Sequence, residues 1–434
     1  MKTHQQKINI VTLGCSKNIV DSEYLIKQLE VNGWKVIFDS NDTSAKIVII
    51  NTCGFIADAK EESVDTILGF VEAKKRGDIS KIFVMGCLSQ RYKDDLIKEI
   101  PEVDGFFGVN QLPEILNQLN VSFSIKHSNQ RSILTPAHYA FLKIAEGCSW
   151  NCSYCAIPLI RGKHISKPIP ELVEQAQLLV NQGVKEFMLI AQDSTFYGLD
   201  IYGERRLSEL VESLSKIEKL EWIRIHYAFP SAFPLDLLEI MRDNPKVCKY
   251  IDIPLQHIND RMLKLMRRRI TKRQNIELVD SIRKEVPNIA IRTTMLVGYP
   301  GETESEFEEL LRFVKESRFE RLGVFAYSQE EGTASAKLAD TVSQEEKERR
   351  VELIMESQRE ISLQHNLNRV GNQYKVIIDR VEGDFLIGRT EFDSPEVDQE
   401  VFIKNSNKNV LKSGDFTVCR ITSAVDYDLF GEIV

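Results

Sequence analysis

The sequence predicts an α/β protein in three parts: an N-terminal parallel α/β domain over residues 1–128, a central partial (βα)6 barrel of the TIM type over 134–366, and a small antiparallel β-barrel of OB-like form over 369–434. Three observations predict it. Short β-rich runs alternate with helix-compatible stretches in the first part, the same rhythm recurs six times in the second, and five strand-like runs crowd into the third. A chain of 434 residues with 43% apolar side chains has ample core for several domains.

In the first part the β-rich runs are INIVTLGC (8–15), KIVIINTC (46–53) and KIFVMGC (81–87), followed by helix-compatible stretches at 18–32, 55–75 and 89–99. Alternation of this kind implies parallel strands with right-handed crossovers, so their carboxyl ends share one edge. Each run ends on a cysteine (Cys15, Cys53, Cys87) with a glycine beside it (Gly14, Gly54, Gly86). Those glycines would let a bulky cofactor approach the backbone. Ligand sites in open α/β sheets lie at this edge. One buried cysteine is an ordinary small hydrophobe; three at equivalent strand ends point to a shared metal cluster.

In the second part the strands are FLKIAE (141–146), EFMLIA (186–191), WIRIHY (222–227), YIDIPL (250–255), AIRTTMLVG (290–298) and RLGVFAY (321–327). Helices intervene, one with Pro near its start and Gly at its end (PELVEQAQLLVNQG). Six such units predict a partial barrel with its chemistry at the carboxyl ends of the strands. A charged helical stretch (343–368) leads to the third part, where QYKVIIDRV, FLIGRT, EVFIK, DFTVCRIT and GEIV read as the strands of a small barrel.

The bulk numbers narrow the function. Apolar stretches such as Ile47–Ile50 are far too short to span a bilayer, and the first residues carry no signal-peptide core, which places the protein in the cytoplasm and away from membranes. Thiols stay reduced there, so eight cysteines are not a disulfide framework. A net charge of −8 favours a basic macromolecular partner over nucleic acid.

The strongest motif is C-S-W-N-C-S-Y-C, in which Cys148, Cys152 and Cys155 form a CxxxCxxC triplet directly after the first barrel strand. Three thiolates are one too few for a closed zinc site, and His164 is the only close candidate for a fourth ligand. Ferredoxin-type clusters use a denser run or a remote fourth cysteine. Three cysteines on a 4Fe–4S cluster would leave one iron open to a non-protein ligand.

A CxxxCxxC loop in this position resembles the radical S-adenosylmethionine (SAM) superfamily. The resemblance implies that the open iron chelates SAM, and that one electron releases a 5′-deoxyadenosyl radical. With Cys15, Cys53 and Cys87 added, the whole chain resembles the radical SAM methylthiotransferases, which join a three-cysteine domain, a radical barrel and a C-terminal TRAM barrel. Two 4Fe–4S clusters and SAM are the implied cofactors, with Cys15, Cys53, Cys87, Cys148, Cys152 and Cys155 as the metal ligands. No catalytic residue beyond these ligands is implied. LGCSKNIVDSE (13–23), HYAFLKIAEGCSWNCSYCAIPLIRGKHISKP (138–168), LIAQDSTFYGLDIYG (189–203), KVCKYIDIPLQHIND (246–260), RLGVFAYSQEEGT (321–333) and DYDLFGE (426–432) are similar to the RimO-type branch. That branch modifies the β-carbon of an aspartate in small-subunit ribosomal protein twelve. It implies a basic protein substrate and an electron donor such as a flavodoxin-type reductant.

The alternative branch modifies a tRNA adenosine and usually has Gln-Met-Asn where Ser16-Lys17-Asn18 stand here. Residues 369–434 hold eight Lys and Arg against twelve Asp and Glu, so this tail should repel RNA, and tRNA is not the expected partner. A different class of reading is a non-catalytic iron–sulfur module.

The expected SAM contacts are Tyr154 near adenine, Gln192 and Asp193 after the second barrel strand, Arg161 and Arg292 for the methionine carboxylate, and Gly298 within G-Y-P-G-E-T. Each has a plainer reading: loop packing for Tyr154, barrel salt bridges for the arginines, and a simple βα turn with a helix start at Thr303. His257 reads as a site residue or a satisfied polar side chain, Met266-Arg267-Arg268-Arg269 as a solvated helix face, and Cys248 and Cys419 as structural.

Overall fold

The computed structural model describes residues 6–40, 44–405 and 411–434. Its first unit is a five-stranded parallel sheet in the order β2-β1-β3-β4-β5, from β1 (Lys7–Thr12), β2 (Lys35–Phe38), β3 (Ile47–Thr52), β4 (Lys81–Gly86) and β5 (Gly105–Phe106). Side chains alternate between faces along a strand. Ile49 therefore joins Leu25, Ile26 and Leu29 of α1 (Ser16–Val31) on one face. Its neighbours Val48 and Ile50 pack on the other against Ile67 and Val71 of α2 (Ala57–Lys75) and Leu88 and Leu96 of α3 (Cys87–Glu99). The edge strands β2 and β5 escaped the sequence reading because they are short and β2 is only half-buried.

The central unit is an open six-stranded parallel sheet in sequence order: β6 (Tyr139–Lys143), β9 (Glu186–Ile190), β10 (Trp222–Ile225), β11 (Val247–Asp252), β12 (Ala290–Val297) and β13 (Arg321–Ala326). A two-stranded ribbon, β7 (Ala145–Glu146) and β8 (Ile165–Ser166), brackets the CxxxCxxC loop. Helices cover the outer face in one large core, and the helix Gln344–Leu367 leads to the last unit.

That unit is a closed barrel, β14 (Gln373–Glu382), β15 (Phe385–Thr390), β16 (Val401–Lys404), β17 (Phe416–Ala424) and β18 (Leu429–Ile433), in the order β14-β15-β16-β18-β17. Four of its pairings are antiparallel and one, β16 with β18, is parallel. It plugs the amino ends of the central strands. Arg389 reaches the fully buried Glu186 at 2.9 Å, Glu186 also accepts from Arg224 Nε at 3.0 Å, and Tyr139 donates to Glu396 at 2.8 Å. The N-terminal unit covers the opposite end: α1 lies against β6, with Val20 packed among Tyr139, Phe141, Met188 and Ile190. No helix among the described residues is long and apolar enough to cross a membrane.

Candidate active site

The parallel strands bring the first three cysteines together. Cys15 is the exposed N-cap of α1, Cys53 follows β3, and Cys87 opens α3. The adjacent glycines serve a different end from the one expected. A Cβ on Gly14 (φ +87°) would lie 2.7 Å from Cys53 Cβ, one on Gly86 (φ +102°) 2.5 Å from the Thr52 carbonyl, and one on Gly54 2.7 Å from the Leu88 backbone. They let the three strand-end loops close on one another, which brings the thiols together. Asn18 braces the arrangement: its Nδ2 donates to Leu13 O (2.8 Å) and Thr52 O (3.1 Å), and its Oδ1 accepts from Arg161 Nη2 (2.7 Å), with Cys87 Sγ 3.8 Å away.

Burial pushes the Cys87 thiol up to about 11 and the Cys53 thiol upward as well; Arg161 opposes both, too weakly to reverse them. These thiols therefore stay protonated until a metal displaces the proton. In metal-free protein, iodoacetamide should label the exposed Cys15 well before Cys53 and Cys87, as peptide mass mapping would read. Equal rates at all three would contradict the buried geometry.

The second triplet sits on the loop between β7 and the helix Ile157–Arg161. Cys148 N donates to Gly162 O at 3.0 Å, Cys155 N to Cys152 O at 3.2 Å, and Ser153 N to Met266 O at 3.1 Å. Trp150 stacks on Phe229, with centroids 4.3 Å apart, and its indole N–H donates to Asp193 at 2.6 Å. Burial pushes the Cys148 and Cys155 thiols up to about 12.

Arg268 corrects the reading of 266–269 as a solvated helix face. The helix Asp260–Leu265 ends before it; Arg267 and Arg269 are exposed in left-handed conformations, while Arg268 is 3% exposed. Its Nη1 points at Cys152 Sγ (3.6 Å) and Tyr154 Oη (3.4 Å), its Nη2 donates to Pro254 O, and its Nε has no partner. Among the described residues it has no carboxylate partner. A buried guanidinium of this kind is stable only beside negative charge, which a cluster held by these three thiolates would supply. Sequence reasoning missed it because nothing local separates it from the two exposed arginines beside it.

No three His, Cys, Asp or Glu side chains among the described residues converge to hold a single metal ion. A mononuclear zinc site needs thiolates ~2.3 Å from one centre. His164, the one fourth ligand considered for zinc, pairs instead with Ser166 Oγ at 3.0 Å.

The other expected cofactor residues lie as follows. Tyr154 packs among Met262, Met266, Leu296, Tyr299 and Tyr327. Asp193 is occupied by Trp150 through one oxygen and by Thr195 through the other. Gln192 Nε2 reaches Glu146 at 3.3 Å, and its buried Oε1 has no partner. Arg292 faces the plugged end, 3.6 Å from Asp398. At Gly298 (φ +72°) a Cβ would lie 2.3 Å from Lys347 Cγ, so tight packing of the long helix requires this glycine. Thr303 starts a helix with a reciprocal capping box to Glu306. His257 is fully buried and satisfied, with Glu302 Oε1 at 2.9 Å and the Asn259 N–H at 3.0 Å. Cys248 and Cys419 are buried in separate cores.

Arg161 is where the two triplets meet. It bonds Glu146 at 2.9 Å, Asp21 of α1 at 3.3 Å and Asn18 at 2.7 Å, and Lys143 closes the network on Asp21 and on Glu146 (2.7 Å). Cys87 packs directly on Ala156 and Ile160, the first of which follows Cys155 in the chain. An apolar cluster shared by Cys87 and the residue after Cys155 thus ties the N-terminal triplet to the radical loop. A second clamp lies farther out, where Glu330 takes Arg91 (2.7 Å) and Lys60 (2.9 Å) of the N-terminal unit.

Three family descriptions match consecutive stretches: "Uncharacterized protein family UPF0004" over 7–108, "Radical SAM superfamily" over 142–314 and "TRAM domain" over 370–434. Over 428 residues the chain is 54% identical to a protein of Cytophaga hutchinsonii named ribosomal protein uS12 methylthiotransferase RimO, covering 99% of this chain and 98% of that one. A protein of the same name from Phocaeicola vulgatus is 52% identical, covering 98% and 99%. Among solved structures, the radical S-adenosylmethionine methyltransferase TsrM from Kitasatospora setae, with cobalamin and a [4Fe-4S] cluster bound, is similar in fold, with a TM-score of 0.55 at 13% identity over 74% of this chain and 75% of that one.

Proposed function

The chain belongs to the ribosomal protein uS12 methylthiotransferase family, and from that premise we propose that it attaches a methylthio group to the β-carbon of an aspartate in that basic ribosomal protein. The observation that carries the reading is that two three-cysteine groups, one on the radical loop and one at the edge of the N-terminal sheet, are joined through Arg161 and the apolar cluster of Cys87 with Ala156. In this reading Cys148, Cys152 and Cys155 hold one 4Fe–4S cluster, and Cys15, Cys53 and Cys87 hold the other. When bound, the clusters and SAM supply the hydrogen-abstracting radical and the sulfur that replaces the hydrogen.

The chain's own residues do the positioning. Arg268 balances charge at the radical triplet, Trp150 and Ser153 fix the loop, and Arg161 with Asp21, Glu146 and Lys143 fixes the spacing between the sites. Capping of the barrel mouth by the N-terminal unit keeps water from the reaction. The reductant in this reading is a flavodoxin-type donor, and the work is done in the cytoplasm, where the ribosome is.

With clusters reconstituted to about eight iron per chain, reductant and SAM, the enzyme should raise the mass of purified uS12 by one SCH3 in place of one H. A gain on tRNA alone would move the chain to the tRNA-modifying reading, which its acidic tail disfavours. Failure to form any 5′-deoxyadenosine would leave the non-catalytic module.

A further inference from the structure

We infer that Lys17 grips the side-chain carboxylate of the substrate aspartate; the inference rests on the uS12 reading above and names the residue that gives it specificity. Lys17 stands two residues after Cys15, at the start of α1. Its side chain leaves the N-terminal triplet and crosses to the barrel mouth, where Nζ lies 3.2 Å from the centroid of the Tyr227 ring. The residue is 7% exposed, yet among the described residues its ammonium has no hydrogen bond and no carboxylate within ion-pair distance; the buried Asp252 acts on it only from farther off. The neighbouring buried cations do: Lys143 and Arg161 share Asp21 and Glu146, and Arg91 has Glu330.

An ammonium carries three donors, and an aromatic face satisfies none of them as an oxygen would. A desolvated cation in that state is poised for an arriving anion. The barrel side of the contact is built for the position. Tyr227 follows β10 with φ +58°, a left-handed conformation that is rare for a bulky side chain and characteristic of functional sites. Its N–H donates to Asp252 at 3.2 Å and its carbonyl accepts from Ser194 N at 3.0 Å, so the ring is held beneath the ammonium. Asp252 accepts from the Tyr227 N–H and attracts the ammonium without bonding it.

Chemistry selects the ligand. In aspartate the carboxylate is bonded directly to the β-carbon, so a cation holding the carboxylate fixes the C–H bond that reacts. Lys17 reaches the barrel mouth from the N-terminal triplet, so the carbon it positions lies where both sites can reach it. Asparagine has the same shape without the charge, and glutamate displaces the reacting carbon by one methylene.

The test uses the full chain with both clusters reconstituted, uS12 itself, and uS12 peptides spanning the target position with Asp or Asn there. For Lys17→Met, KM for the Asp peptide should rise about 10- to 100-fold, and the Asp-over-Asn preference in fluorescence anisotropy should collapse. Lys17→Arg should recover most of both. Unchanged KM and preference in Lys17→Met, with uS12 still modified by the parent enzyme, would overturn the assignment and leave the uS12 reading intact. Loss of half the iron in Lys17→Met would also overturn it, by assigning the residue to the N-terminal cluster. A parent enzyme that modifies tRNA and ignores uS12 would overturn both.

Discussion

Replacing Cys152 by alanine is expected to lower 5′-deoxyadenosine formation by more than about 100-fold, while the N-terminal triplet still takes up iron. The magnitude follows from the chemistry of ligation. Loss of an outer-shell partner typically costs 10- to 100-fold, so loss of a ligand should exceed that. Cys152 is also the thiol that Arg268 faces at 3.6 Å. The substitution removes the anion and leaves a buried guanidinium with fewer compensating groups, so retained iron at the second site needs checking directly. Iron falling by half, with the remaining signal assigned by Mössbauer or EPR spectroscopy, is the expected picture. A variant that still makes 5′-deoxyadenosine at the parental rate would remove Cys152 from the ligand set.

Arg161→Met should have the second large effect. The side chain is 2% exposed and bonds Asp21, Glu146 and Asn18 across the junction of two domains. Breaking a buried ion pair from one side costs about 3–5 kcal/mol, because the partner charges stay buried without compensation. Denaturant unfolding of the metal-free chain would read the loss. Glu146 gives the pH signature. Burial pushes its carboxyl up, but Lys143 and Arg161 outweigh burial and hold it well below the usual range. A carboxyl depressed in the folded state contributes stability above its ordinary value of 4.5, and that contribution fades as pH falls through the folded value. Arg161→Met should flatten this acid limb. It should also uncouple the sites, so that 5′-deoxyadenosine continues to form while methylthiolated uS12 does not. Full coupling in a variant of normal stability would show that the bridge is structural only.

The alternation of short β-rich runs with helix-compatible stretches made most of the fold legible. All six central strands and all five tail strands lie where β-rich segments predicted them, because nearly all of them bury side chains that call for those residues; β13 is half-buried along most of its length. Cysteines at three strand ends also pointed to a common site, since parallel topology places such ends together. The missing pieces depend on contacts between residues far apart in sequence. Arg268 is buried and its two arginine neighbours are exposed, and only the turn after Leu265 decides which is which. The glycines beside Cys15, Cys53 and Cys87 were legible as close approaches, although what approaches is another loop. Arg161 was read as a SAM ligand or a barrel salt bridge; its bonds to α1 could not be inferred before the two domains were seen docked.

The plug at the amino ends of the central strands has a consequence for how the chain is made. Residues 369–434 are synthesised after the central sheet, yet Arg389 pairs with the fully buried Glu186, which Arg224 also holds, and Asp393 pairs with Arg321 at 2.5 Å. Until those strands are made, the charged side chains at this end of the central sheet lack the partners that Arg389 and Asp393 bring. A shortened gene product would be arrested at that stage, and its lost activity would report an unfinished barrel rather than a missing docking surface.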